Sequence, residues 1–186
     1  SGTAPLDDGE LALAHGDLSF ENTLTANSSL QVNNGTLVLA GGATADNLSL
    51  KLTTTTLKLT GDLSLGQGEF QLDNASALEL QGDAMLARNG EFDLPDLQLN
   101  GHALSLGTVV TELSLRGALS VADNESLQVA RGGAPASPTL TLRLHSGGSV
   151  TGTGKLDVGG TNLELQNSLT VSGTLALDNG TTLSLN

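Results

Sequence analysis

Gly68-Glu69-Phe70-Gln71-Leu72 returns as Gly90-Glu91-Phe92-Asp93-Leu94, and its Glu-apolar-x-Leu centre returns again as Glu112-Leu113-Ser114-Leu115. The shifts of 22 and 21 residues set the length of a repeat. Between the first two copies lie Leu78/Leu80 and the apolar pair Met85/Leu86, and between the second two lie Leu97/Leu99 and Leu104/Leu106. Each repeat therefore carries three short apolar pairs. Alternation at period two puts both members of a pair on one face of a strand and the intervening polar residue on the other. Strands of three to five residues bury too little to stand alone, so they must stack on one another.

The same pairs recur outward from this centre, at Leu37/Leu39, Leu57/Leu59 and Leu63/Leu65 on one side and Leu119/Val121, Leu163/Leu165 and Leu175/Leu177 on the other. The expected fold is all-β: a parallel β-helix with about three strands per coil of 20–22 residues, about eight coils in 186 residues. At roughly 4.8 Å per hydrogen-bonded strand the rod is about 40 Å long. Phe70 and Phe92, one coil apart, should stack inside it. Leu72-Asp73-Asn74-Ala75-Ser76-Ala77-Leu78, Val121 to Leu127 and Leu177 to Leu183 read as versions of one corner, with Val32 to Leu37 a looser fourth. Asn and Gly tolerate positive φ, and Asn, Asp and Ser bond nearby backbone groups, so the chain bends without a long loop.

Strings such as Gly173-Thr174-Leu175-Ala176-Leu177-Asp178-Asn179-Gly180-Thr181-Thr182-Leu183 and Asn34-Gly35-Thr36-Leu37-Val38-Leu39 resemble the repeats of bacterial secreted β-helix exoproteins, the autotransporter passengers and filamentous-haemagglutinin-like adhesins. The resemblance covers the chain from about Leu30 onward. It implies a right-handed coil, export to the bacterial surface or medium, and a part in attachment, aggregation or biofilm. It transfers no catalytic residue. The Asn-Pro-rich motifs of the two-partner secretion domain are missing, so the chain is expected to be a repeat segment, cut from something longer or left after processing.

Two places depart from the pattern. Residues 1–27, with Asp7-Asp8-Gly9-Glu10 and the weaker pairs Leu11/Leu13 and Leu18/Phe20, form an N-terminal edge that is either an incoming linker or an irregular first coil. Within the repeats at 28–186, prolines at 135 and 138 remove backbone donors and forbid a central strand. The segment 130–138, with Arg131, Pro135 and Pro138, is expected to loop out, as a binding loop or as a tolerated insertion.

Composition limits the function classes. The chain has no cysteine, hence neither disulfides nor thiolate metal sites, and a formal charge of −13 that disfavours nucleic acid and anionic membranes as partners. No apolar stretch approaches a membrane span. His15, His102 and His145 stand in no ligand spacing. Gly147-Gly148-Ser149-Val150-Thr151-Gly152-Thr153-Gly154-Lys155 fails as a phosphate loop, with Ser149 at the first glycine and Leu156 after the lysine, and fails as a nucleophile elbow at Thr151. Six Asn-x-Ser/Thr triplets follow from a composition dense in those residues. Thr53-Thr54-Thr55-Thr56 lacks the Thr-x-Thr recurrence of an ice-binding face and reads as a corner.

One constellation has chemical content. Glu69, Glu91 and Glu112 fall on successive coils, a column about 4.8 Å apart if the register holds. Like charges so placed repel unless a cation or basic side chain is near. The alternatives are a weak Ca²⁺ site, a patch for a basic partner, or solvated carboxylates that splay apart. Without Trp or Tyr there is no sugar-stacking platform, which argues against a polysaccharide lyase or glycosidase. The expected function is structural or adhesive, without cofactor. The expected partners are a host or bacterial surface protein or glycan, or further copies of the chain. A polysaccharide-active enzyme and a pure stalk for another domain are the alternatives.

Overall fold

The computed structural model describes residues 9–129, 140–159, 161–177 and 181–185, and all its regular elements are β-strands. Alternating Leu-x-Leu pairs form strands because each can bury its leucines only against the strand one coil below. The strands pair in parallel and stack as a β-solenoid of about 8 turns.

Three faces, A, B and C, run along it. Face A carries one strand from each coil: Glu10–Leu13, the first half of Ser29–Leu39, the first half of Ser49–Leu59, Phe70–Leu72, Gly90–Leu94, Val110–Leu115, Thr141–Leu144, Asn162–Leu165 and Thr182–Leu185. These starts number coils 1 to 8 and the beginning of a ninth. Face B runs from Leu18–Phe20 to Leu169–Val171, and face C from the Leu24 bridge to Thr174–Leu177. The register confirms three strands per coil, with coils of 19 residues (Glu10 on Ser29) to 23 (Leu63 on Leu86) and one lengthened to 29 (Glu112 on Thr141).

The Leu, Val and Phe of the pairs form one continuous core, Leu30, Leu37, Leu57, Leu78, Phe92, Leu127 and Leu156 being fully buried, while Val171, Leu177 and Leu183 on the last coils are exposed. Each such leucine contributes about 1.5–3 kcal/mol by leaving water. Phe70 and Phe92 meet as expected, edge to face with ring centroids 5.1 Å apart.

Several local expectations are corrected. The inward pair of coil 4 on face C is Ala84/Leu86, and Met85 points outward. The three Asp-Asn strings do not share one position in the coil. Leu72 to Leu78 joins face A to B, Val121 to Leu127 joins B to C, and the strands flanking 178–180 lie on faces C and A. Turn chemistry is common to all corners and does not record which faces meet. The acids also reach further than a local turn. Asp17, Asp62, Asp83 and Asp123 each accept the backbone N–H of a residue on the following coil: Thr36, Met85, Ala103 and Thr153, at 2.8 to 2.9 Å.

Residues 10–20 pair in register with coil 2, Glu10 on Ser29 and Leu18 on Leu37. Arg131, Pro135 and Pro138 lie outside the described residues. The coil containing them spans 29 residues from Glu112 to its partner Thr141, and Leu140, Leu142 and Leu144 resume the core. Thr53 to Thr56 do form a corner, inside the continuous strand Ser49–Leu59. Thr54 takes φ +50 there, and Thr55 is buried with its hydroxyl donating to Val32 O at 3.0 Å.

Candidate functional face

Face A holds the carboxylates singled out from the sequence. Glu91 and Glu112 are direct partners in the ladder joining coils 5 and 6. Glu69 stands just before Phe70 on coil 4, but Phe70–Leu72 pairs only downward, with Leu50–Leu52, so no ladder links Glu69 to Glu91. The next outward row is Asp93, Ser114, Arg143 and Glu164, each partnered with the one before.

The repulsion expected of the column is relieved within the chain. The Arg143 guanidinium bridges three successive coils, with Nη1 on Glu112 Oε1 at 2.6 Å and Nε on Glu164 Oε2 at 2.9 Å. Burial pushes the Glu112 carboxyl above its ordinary value, against the pull of Arg143. The hydrogen bond to Glu164 holds the Arg143 proton more tightly than usual, with burial opposing it. Arg88 leans over the Phe92 ring at 5.9 Å and donates through Nη1 to Glu91 O at 2.7 Å. Burial lowers its pKa, and the nearby charges of Glu91 and Glu69 oppose that. Beside them His145 links Ser114 Oγ at 2.9 Å to Gln166 Oε1 at 2.8 Å.

Arg116 Nε binds Asp93 Oδ1 at 3.0 Å, so the arrangement is a polar ladder whose acids are countered by Arg88, Arg116 and Arg143. Among the described residues no group of three or more His, Asp or Glu is placed to hold a metal ion. Sequence reasoning missed the three arginines. Arg143 lies 31 residues beyond Glu112 because its coil is lengthened, and no spacing rule connects the two.

Face C carries a shallow hollow of about 280 Å³ lined by Asp62, Asp83, Ser105, Ser126 and Gln128 over Ala84, Ala103 and Leu104. It arises where the register slides, Leu86 stacking on Leu63 while Ala84 stacks under Leu104. Both aspartates there use Oδ1 to hold backbone N–H groups. Among the described residues no helix is long and apolar enough to cross a membrane. Compared with protein-family models, with curated proteins and with solved structures, the chain matches none.

Proposed function

We propose that this chain is a structural and adhesive segment of a secreted or surface-attached bacterial β-solenoid protein, acting through its exposed polar faces. The observation that carries the reading is the outward ladder of face A from Glu91 to Glu164. It sets Glu, Asp, Ser, Thr, Arg and Asn at a backbone-fixed spacing on successive coils. Such a surface offers many weak contacts whose combined strength grows with the number of coils engaged. The compensated charge suits a protein or glycan surface with mixed hydrogen-bonding groups, or another copy of the rod, better than a purely basic partner.

Binding of the purified chain to a glycan array and to whole bacterial and host cells, run beside a reducing-end assay on the same polysaccharides, tests the proposal. Saturable binding without turnover is the expected result. Turnover sinks the adhesive reading in favour of an enzyme, and absence of binding to every surface leaves the stalk reading in its place.

A further inference from the structure

The sheets on faces A and B are both interrupted at coil 5, and the sheet on face C is not. On face A, Phe70–Leu72 pairs with coil 3 and Gly90–Leu94 with coil 6, leaving coils 4 and 5 without a ladder between them. On face B, Leu97–Gln98 pairs with coil 4, while Leu119–Val121 pairs with coil 7 and not with coil 5. The break moves up by one coil at the corner Leu94-Pro95-Asp96. Face C runs unbroken from Ala43–Thr44 to Thr174–Leu177.

Pro95 accounts for the corner. The residue after the face A strand regularly donates its N–H to the carbonyl one coil below. Asp73 donates to Leu52 O, Arg116 to Leu94 O, His145 to Leu115 O and Gln166 to Leu144 O, at 2.9 to 3.1 Å. On coil 5 that residue is Pro95, which has no N–H. Its would-be acceptor, Leu72 O, is taken instead by Arg116, whose Nη2 reaches down from coil 6 to 2.6 Å. The same guanidinium binds Asp93 Oδ1 on coil 5 at 3.0 Å and Asn74 Oδ1 on coil 4. One side chain thus ties coils 4, 5 and 6 where the backbone does not. Gly117 allows the close approach, since a Cβ there would lie 2.6 Å from Pro95 O.

We propose that coil 5 is a built-in joint, with the unbroken face C sheet as hinge and the Arg116 guanidinium as clasp. The rod opens first between coils 4 and 5 on face A and between coils 5 and 6 on face B. Besides the clasp, that gap is held by the Phe70–Phe92 contact, and a few side chains yield more readily than a continuous ladder.

Native-state hydrogen exchange on the full chain, followed by mass spectrometry through low denaturant, tests the joint. Coils below and above it should open with two distinct free energies. Arg116→Ala should speed exchange in Phe70–Leu72 and Gly90–Leu94 by about tenfold or more, the loss of charge-assisted hydrogen bonds, and leave Ser29–Leu39 unchanged. Because Arg116→Ala can weaken the whole chain, Pro95→Ala supplies an independent arm. It restores an N–H opposite Leu72 O, so it should slow exchange at the gap and shrink the effect of Arg116→Ala in the double variant. A single opening shared by all coils, or an Arg116→Ala effect undiminished in the Pro95→Ala background, overturns the proposal.

Discussion

Coils 2 and 3 and coils 4 and 5 solve the same problem in opposite ways. In the first pair, Ser29–Leu39 and Ser49–Leu59 run side by side around a corner, in register from Ser29 on Ser49 to Leu39 on Leu59. The bend is absorbed by single residues at positive φ, Asn34 and Thr54, so the ladder crosses it almost whole. In the second pair the face A ladder is absent, and on that face an aromatic contact and a guanidinium hold the coils together. A backbone ladder tolerates most substitutions because every residue but proline brings the same groups. A side-chain clasp depends on particular atoms and can be removed by one mutation.

The comparison is tested most severely at Phe92. It is fully buried beside Phe70, and Phe92→Ala should cost about 3–5 kcal/mol. Leu57→Ala, in the continuous region, should cost about 2–5 kcal/mol. The two should differ in form: urea unfolding of Phe92→Ala should split into two transitions, while Leu57→Ala shifts one. Curves of identical shape would show that both regions belong to one cooperative unit.

A smaller effect should appear at Asp73, where a side chain supports the continuous corner. The Ser76 hydroxyl and then the Thr54 N–H hold its carboxyl below the ordinary carboxylate range. A depressed carboxylate adds stability that is present above the unfolded pKa and lost as pH falls through the folded one. Asp73→Asn should therefore be less stable than the parent at neutral pH, with the gap closing as pH falls below the ordinary carboxylate range. A gap that stays constant from pH 7 downward would remove the charge from the explanation. Glu112 carries the opposite sign, its raised pKa adding a destabilising contribution when ionised that acidification relieves.

The smallest change expected is a gain. Thr54 is β-branched at φ +50, while Asn34 holds the matching place on the coil below. Thr54→Asn should raise stability by about 0.5–1 kcal/mol, since Asn accepts the left-handed region at lower cost. Thermal unfolding measures it, and a loss would mean that the Thr54 side chain contributes contacts worth more than its strain.

How much of this could be read in advance follows from what repeats. Leucine pairs recur because every coil needs inward residues, so strand number, coil length and the Phe70–Phe92 contact were legible. Ala84 was not, because a small inward residue leaves no apolar signal beside Met85. The Glu91–Glu112 pairing was legible from spacing, but its counter-charge was not, since Arg143 enters only once the length of its coil is known. Pro95 stood in plain sight between Leu94 and Asp96. Its consequence depends on a carbonyl 23 residues earlier and a guanidinium 21 residues later, and no local pattern connects the three.

The aspartates that reach from one coil to the next make the repeats unequal in a way that bears on how such a chain can be lengthened or shortened. The portable cassette does not run from one corner to the same corner a coil later, because that cut parts Asp62 from the Met85 amide or Asp83 from that of Ala103. It runs from an acid to the amide that acid receives. A duplication or deletion that respects this phase leaves each carboxylate facing a donor, and one that ignores it strands a negative charge at the new junction.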